Sequence, residues 1–324
     1  MRAVVCEQFG GPDLLKVRDL PTPEPGPGQI RIRLHAAGVN FPDGLIVAGS
    51  YQTKLEPPFV PGGEGAGVVD AVGKGVTAFA PGDRVAAFIR GSYAEQVIVD
   101  TDRALHLPAS VGFDIAAAFT VTYGTTIHAL RTRARIRPGE TLLVLGAGGG
   151  VGSAAVELGK LLGARVVAAA SSAEKLDVAA RCGADDLINY RMVDLRQEMK
   201  KLCGSKGVDV VYDPVGGDLS EPAFRSLGWY GRFLVIGFAA GRIPALPLNL
   251  PLLKGASVIG VFWGASVEQQ PEQFQTDMQD LIGWLAEGKL KPHIGARYCL
   301  EQAPRAIADL MEGRATGKLV IEID

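Results

Sequence analysis

Long apolar runs are missing from this chain. No segment reaches the ~18 continuous apolar residues of a membrane-spanning helix. Charge of one sign is missing too. The 33 Lys and Arg nearly balance the 35 Asp and Glu, for a net charge of −2, and no basic stripe is present for nucleic acid. Cysteine is scarce. The four residues Cys6, Cys182, Cys203 and Cys299 include no C-x-x-C pair, which argues against a cysteine-built zinc cluster. They read as separate thiols in a reducing cytoplasm. The four histidines, His35, His106, His128 and His293, are scattered, with no H-E-x-x-H or H-x-H. Internal repeats and low-complexity tracts are absent. The opening stretch Met1–Glu7 is broken by Glu7 and Gly10-Gly11, and reads as a first strand rather than a signal peptide.

What is present suits a soluble enzyme. Apolar residues make up 47% of the 324 residues and charged residues 21%, and this length accommodates two domains. The first ~117 residues look β-rich. Gln29–Ala36 alternates apolar and polar side chains, the period of a half-buried strand. Pro21, Pro23, Pro25 and Pro27 precede it and must form a loop or edge. Short strands are predicted near Gly67–Val72, Arg84–Phe88 and Glu95–Val99, between glycine and proline turns. From about Phe119 helices and strands alternate. Strands are expected at Leu142–Leu145, Val166–Ala169, Leu187–Ile188, Val208–Tyr212, Phe233–Ile236 and Val258–Val261, with helices at Ala173–Cys182 and Leu195–Leu202. This is the pattern of an α/β fold with a doubly wound parallel sheet. In the tail, Phe274, Met278, Leu281, Ile282 and Leu285 fall on one helical face and read as a core stripe. A strand near Ala296–Leu300, a helix near Pro304–Met311 and a strand Lys318–Ile323 follow. The last of these could return to the N-terminal domain.

The most informative stretch runs from Thr141 to Gly152. Five strand-forming residues lead into Gly146-Ala147-Gly148-Gly149-Gly150-Val151-Gly152, and a helical stretch Ser153–Leu162 follows. A second apolar run begins at Arg165, completing a βαβ unit of about 30 residues. Glycines at such a turn let the backbone approach a pyrophosphate, which the helix N-terminus then favours. The glycines fit more than one register of the loose G-x-G-x-x-G pattern. At the end of the second strand, where NAD-selective folds carry an acid for the ribose 2′-OH, stand Ala170, Ser171 and Ser172. No acid repels a 2′-phosphate there, and Lys175 is within reach as a point charge. This reads as NADPH preference. Ser172 is equally a good N-cap for the next helix.

The chain resembles the medium-chain dehydrogenase/reductase superfamily, and within it the zinc-independent NADPH:quinone oxidoreductases. The resemblance rests on Ala36–Asp43, Pro61–Val69, Pro81–Val85, Gly91–Glu95, the glycine cluster, Ile188–Arg191, Val211–Gly217 and Thr316–Lys318, in that order along the whole chain. It implies a GroES-like catalytic domain over 1–117, completed by 265–324, and a Rossmann domain over 118–264. The active site is then expected in the cleft between them.

The resemblance also implies roles. Zinc-dependent relatives have a Cys where Asn40 stands and a His where Gly63 stands, and neither replacement supplies a thiolate or imidazole. No metal is therefore expected. Asn40 and Tyr51 are the expected donors near the nicotinamide or acceptor, and Tyr51 reads equally as an ordinary loop aromatic. Asp43 belongs to the same motif, with a loop or cap Asp as ready an explanation as a proton role. Gly149, Gly150, Val151 and Gly152 match the pyrophosphate loop, and Lys175 and Tyr190 match contacts to the 2′-phosphate. Ile236, Gly237 and Phe238, with Phe262 and Trp263, match segments flanking the nicotinamide. The aromatics among them could equally fill the core or a subunit interface. Ala147 replaces the first glycine of the fingerprint, and it fits where φ is negative. The expected activity is reduction of a quinone or other conjugated carbonyl. An enoyl-thioester or haloacrylate reductase is the alternative enzyme, and an NADPH-binding protein with little turnover the alternative of another class. A homodimer joined at the strand Val258–Val261 is expected, because an edge strand needs cover.

Overall fold

In the computed structural model, which describes residues 1–323, the chain divides into two compact units. Unit 1 takes Met1–Val121, Pro271–Gly288 and the residues from Ile294 on; unit 2 takes Thr122–Gln270 and Lys289–His293.

Unit 1 is built around the strand Gln29–Val39. It pairs antiparallel with Glu64–Val72, Gln96–Asp100 and Lys318–Glu322. Its first half alternates, with Ile30, Ile32 and Leu34 inside. From Ala36 on, both faces are buried. That change explains why small residues follow the alternating stretch. At Gly38 an added Cβ would lie 2.2 Å from the Ala117 carbonyl and 2.4 Å from the Glu64 carboxylate. The core joins these strands to the helix Ala303–Met311 through Ala303, Ala306 and Ile307. The strand Lys318–Glu322 does return to the N-terminal strands, with Leu319 opposite Val39. The stripe Phe274, Met278, Leu281, Ile282 and Leu285 is buried on the helix Pro271–Ala286.

Unit 2 holds a six-stranded, wholly parallel sheet. Across it run Asp186–Asn189, Arg165–Ala170, Thr141–Leu145, Val208–Asp213, Leu227–Val235 and Ser257–Gly260. This is the 3-2-1-4-5-6 order of a Rossmann fold, whose strand order reverses between Thr141–Leu145 and Val208–Asp213. Every residue of Thr141–Leu145 is buried, as a central parallel strand requires. Ser257–Gly260 is one edge strand of the sheet, and Asp186–Asn189 is the other.

Several expected elements differ in extent, and the strand predicted near Gly67–Val72 starts at Glu64. The helix after the glycine turn starts at Gly150, three residues before the predicted Ser153, because the glycines form its first turn. The strand predicted over Phe233–Ile236 runs from Leu227 to Val235. Its first part contains Gly228 and Gly231, which read as a turn, and the pairing register shifts there, with Tyr230 at φ +59°. Finally, the Asn40–Tyr51 segment, for which no helix is predicted, contains one over Phe41–Val47. Its start follows from Asn40 as N-cap, a proline in the first turn and Asp43 at the third helical position.

Candidate functional site

In unit 1, three neighbouring strands bring a polar cluster together. Asn40 directly follows Gln29–Val39, Glu64 opens Glu64–Val72, and Lys318 opens Lys318–Glu322. The antiparallel registers, Ala37 opposite Gly65 and Val39 opposite Leu319, set the three side chains side by side. Asn40 Nδ2 donates to Glu64 Oε1 at 2.7 Å, and Lys318 Nζ donates to Asn40 Oδ1. Lys318 Nζ also meets Glu64 Oε1 at 2.6 Å. The other Glu64 oxygen accepts the Val121 N–H at 2.7 Å. All three side chains are buried, Glu64 completely.

Asp43 lies beside them. Its carboxylate accepts the Asn40 backbone N–H and the Tyr93 hydroxyl, each at 2.7 Å. Burial pushes its carboxyl up to about 6, against the lowering effect of those two hydrogen bonds and of Lys318. Tyr93 is fully buried, and burial together with the Asp43 charge pushes its phenol well up. Tyr51 is half-buried. Burial raises its phenol first, and the nearby Asp43 charge adds to it. A Cβ at Gly63 would meet only Asp43 Oδ1, at 3.9 Å, so that position is open toward the cluster. Sequence reasoning singled out Asn40, Asp43 and Tyr51 but took Glu64, Tyr93 and Lys318 only as motif letters. The available signal was a charge heading each of two apolar runs, Glu64 before residues 65–69 and Lys318 before residues 319–321. A surface depression in this unit, lined by Phe79, Thr101, His106, Gln275 and Ile282, contains none of these residues.

In unit 2 the glycine turn has one register. Gly146 leaves the strand at φ +59°. Ala147 is buried, does not have a positive φ, and donates its N–H to the Ala169 carbonyl. A Cβ at Gly148 would sit 2.5 Å from the Lys175 backbone oxygen, and one at Gly152 would sit 2.1 Å from the Gly146 oxygen. Gly149 is the N-cap of Gly150–Leu161, and a Cβ there would meet nothing nearer than 3.5 Å. Gly152 therefore lets the helix close on the turn, while Gly149 keeps the space in front of it clear. The N–H groups of Gly150, Val151 and Gly152 form the first helical turn, where no intrahelical acceptor exists.

At the end of the adjacent strand, Ser172 caps Ala173–Arg181 by accepting the Lys175 N–H at 3.3 Å. Asn189 pairs with Ala170, which carries Tyr190 and Arg191 to the same place. Tyr190 is hydrogen-bonded to Ser171. Burial lowers the Lys175 ammonium, and the charge of Arg191 lowers it further. Arg191 was quoted only as part of a motif, and strand pairing gives it its place here. At the strand-order reversal, Asp213 is 2% exposed and accepts the N–H groups of Val215 and Gly216, each at 2.8 Å, and the Ser220 hydroxyl at 2.6 Å. Its backbone oxygen accepts the N–H groups of Ile236 and Gly237. Burial raises its carboxyl, and these bonds oppose the rise. Ile236, Gly237 and Phe238 are half-buried on this edge, and Phe262 is 51% exposed. Trp263 is buried, its ring 2.4 Å from where a Cβ on Gly124 would stand, so its side chain is a packing group of unit 2.

Comparisons with known proteins agree with both halves of this description. Residues 26–109 match the family model "Alcohol dehydrogenase GroES-like domain", and residues 150–285 match "Zinc-binding dehydrogenase". Quinone oxidoreductase-like protein 2 of Rattus norvegicus is 39% identical over 324 residues, covering 99% of this chain and 92% of the relative. The quinone oxidoreductase of Homo sapiens is 35% identical over 327 residues, covering 99% and 97%. The chain belongs to the quinone oxidoreductase family of medium-chain dehydrogenases and reductases. Solved structures related to this quinone oxidoreductase-type enzyme include Escherichia coli quinone oxidoreductase complexed with NADPH, with a TM-score of 0.92 at 30% identity over 99% of this chain and all of that one. A protein described as an NAD-dependent alcohol dehydrogenase also superimposes, with a TM-score of 0.92 at 34% identity over the full length of both. Among the described residues of this family member, no helix is long and apolar enough to cross a membrane.

Proposed function

We propose that this protein is an NADPH-dependent reductase that passes hydride to a quinone or another conjugated carbonyl without zinc. The observation that carries the reading is the meeting of Lys175 and Arg191 beside Ser171 and Tyr190, at a strand end where Ala170 replaces a ribose-binding acid. The repulsion of Lys175 by Arg191, which the charge of Glu174 offsets only in part, would be relieved by an anion with the charge and oxygens of a 2′-phosphate. Because structures described as NADPH-bound and as NAD-dependent share this fold, the preference rests on these side chains. The glycine cradle fits the pyrophosphate: Gly149 leaves room, and Gly150, Val151 and Gly152 offer N–H groups at a helix N-terminus. Ile236, Gly237, Phe238 and Phe262, with the backbone at Trp263, are the segments proposed to border the nicotinamide. The bound dinucleotide supplies the hydride. On the acceptor side, Asn40 and Tyr51 are the proposed donors to the oxygen on which negative charge develops. Asp43 holds the Asn40 backbone and Tyr93 in place.

The reading is tested by following NADPH oxidation with 9,10-phenanthrenequinone, a small enone, a 2-enoyl thioester and a haloacrylate. Turnover of the quinone or enone is the expected result. A strong preference for the thioester or haloacrylate would move the assignment to that reductase class, and no turnover with any acceptor would leave a binding protein.

The donor set argues against zinc. Position 40 carries a carboxamide whose oxygen already takes an ammonium, and Gly63 has no side chain. Glu64, the carboxylate bonded to Asn40, is already paired with Lys318. Purified enzyme is expected to contain no stoichiometric zinc and to keep its activity in chelator. Elemental analysis finding about one zinc per chain would overturn this.

We also read the edge strand Ser257–Gly260 as a dimer contact. Val258 is 49% exposed on it, and Trp229, Tyr230, Leu252 and Leu253 stand exposed on neighbouring elements. A second copy pairing there would cover both the edge and these apolar groups. Light scattering is expected to give twice the chain mass at micromolar concentration, and a monomeric mass would refute the contact.

A further inference from the structure

The neighbours of Asn40 determine which way its carboxamide faces. An ammonium only donates, so the atom that Lys318 Nζ meets must be Oδ1. A carboxylate only accepts, so the atom 2.7 Å from Glu64 Oε1 must be Nδ2. Exchanging oxygen and nitrogen would turn both contacts repulsive in a buried setting. Glu64 cannot easily turn away, because its second oxygen holds the Val121 N–H. Lys318 closes the triangle at 2.6 Å from Glu64.

We propose that Glu64 and Lys318 are positioning residues that make Asn40 a one-way donor. Its oxygen and one N–H are used internally. The second Nδ2 N–H is what the carboxamide presents to the oxygen of the quinone or enone. The inference rests on the reading of Asn40 as the acceptor-side donor. As a C–H bond of the dihydronicotinamide breaks and that ring is oxidised, hydride forms a new C–H bond at the acceptor carbon and the acceptor's π electron pair moves to oxygen. A proton from water then completes the product. A donor fixed beforehand meets that charge without reorganising, so it favours the transition state over the ground state. A carboxamide free to flip would at times set its own oxygen against the acceptor's.

The test is a mutant cycle with 9,10-phenanthrenequinone. Lys318→Met and the charge-neutral pair Glu64→Gln/Lys318→Met are each made with Asn40 intact and with Asn40→Ala. Quinone affinity is measured separately without nicotinamide, by tryptophan quenching. Asn40→Ala alone is expected to lower kcat/KM by roughly 10- to 1000-fold. Lys318→Met is expected to lower kcat at least about 10-fold while KM for NADPH and the separate quinone affinity stay within about threefold. Lys318→Arg keeps a cationic donor and is expected to restore most of the rate. In the Asn40→Ala background the Lys318 and Glu64 changes are expected to cost less than about twofold more. If Lys318→Met fails to fold because Glu64 loses its counterion, the neutral pair carries the same expectations. Losses that multiply across the two backgrounds, or quinone affinity that disappears with the rate, would overturn the positioning role. An Asn40→Ala enzyme with unchanged kinetics would instead refute the acceptor placement itself, and the inference with it.

Discussion

Lys175→Ala is expected to raise the dissociation constant for NADPH by about 10- to 100-fold and to leave that for NADH within about twofold, since a charge-assisted bond to phosphate contributes roughly 1.5–3 kcal/mol. The asymmetry is the point of the measurement. Lys175 lies where Arg191 adds its charge, and no carboxylate occupies the strand end at Ala170, Ser171 and Ser172. NADH brings a hydroxyl where NADPH brings a phosphate, so only NADPH should notice the missing ammonium. Arg191→Ala is expected to act in the same direction and less strongly, because Arg191 is exposed and its charge is more screened. Fluorescence titration of both cofactors checks this. Equal loss for NADPH and NADH would mean that the Lys175 ammonium does not act on the 2′-phosphate, since alanine keeps the Cα, Cβ and carbonyl that lie beside Gly148.

Gly152→Ala is expected to be the more damaging change, because it combines a loss of stability with a loss of binding. The added Cβ would lie 2.1 Å from the Gly146 oxygen and 2.8 Å from the Ala147 Cα, both backbone atoms that no rotamer change can move. The helix Gly150–Leu161 would have to withdraw from the strand that it covers, at a cost of about 1–3 kcal/mol or more, the scale of forced overpacking. Cofactor affinity should fall at least about 100-fold, since the first-turn N–H groups move with the helix. Gly149→Ala is the informative companion. Its Cβ would meet only the Gly146 oxygen, at 3.5 Å, so the protein should melt near the wild-type temperature yet bind NADPH weakly. If Gly152→Ala melted within about 1 °C of wild type, the close approach of helix and turn would not be what the glycine serves.

Some of this was readable from the residues alone. A strand running into glycines and a following helix specifies a turn shape through local backbone freedom, and local information is what a sequence carries best. The alternation at Ile30, Ile32 and Leu34 likewise specified the inward face of one strand. The helix Phe41–Val47 was missed although its start carried a signal, an Asn followed by a proline and an acid at the third helical position. Asp43 was open to a cap reading, but no helix was drawn from it, because the resemblance placed the same letters in the site. The extent of Leu227–Val235 was hidden because a register shift and a positive φ at Tyr230 let glycine-rich sequence remain in a strand. The grip of Glu64 and Lys318 on Asn40 was not legible, since it depends on the pairing register of three strands rather than on any spacing along the chain.

That grip joins residues 278 positions apart. A ribosome therefore makes Asn40 and Glu64 long before it makes the lysine that pairs with them. Until then the nascent unit 1 holds a carboxylate destined for burial with no counterion, and a long strand whose edge beside Val39 has no partner. The parallel sheet of unit 2 spans Thr141–Gly260 and can assemble in the meantime. Synthesis thus completes the parallel sheet of unit 2 before the polar cluster of unit 1, with one strand closing the edge and neutralising the charge in the same step.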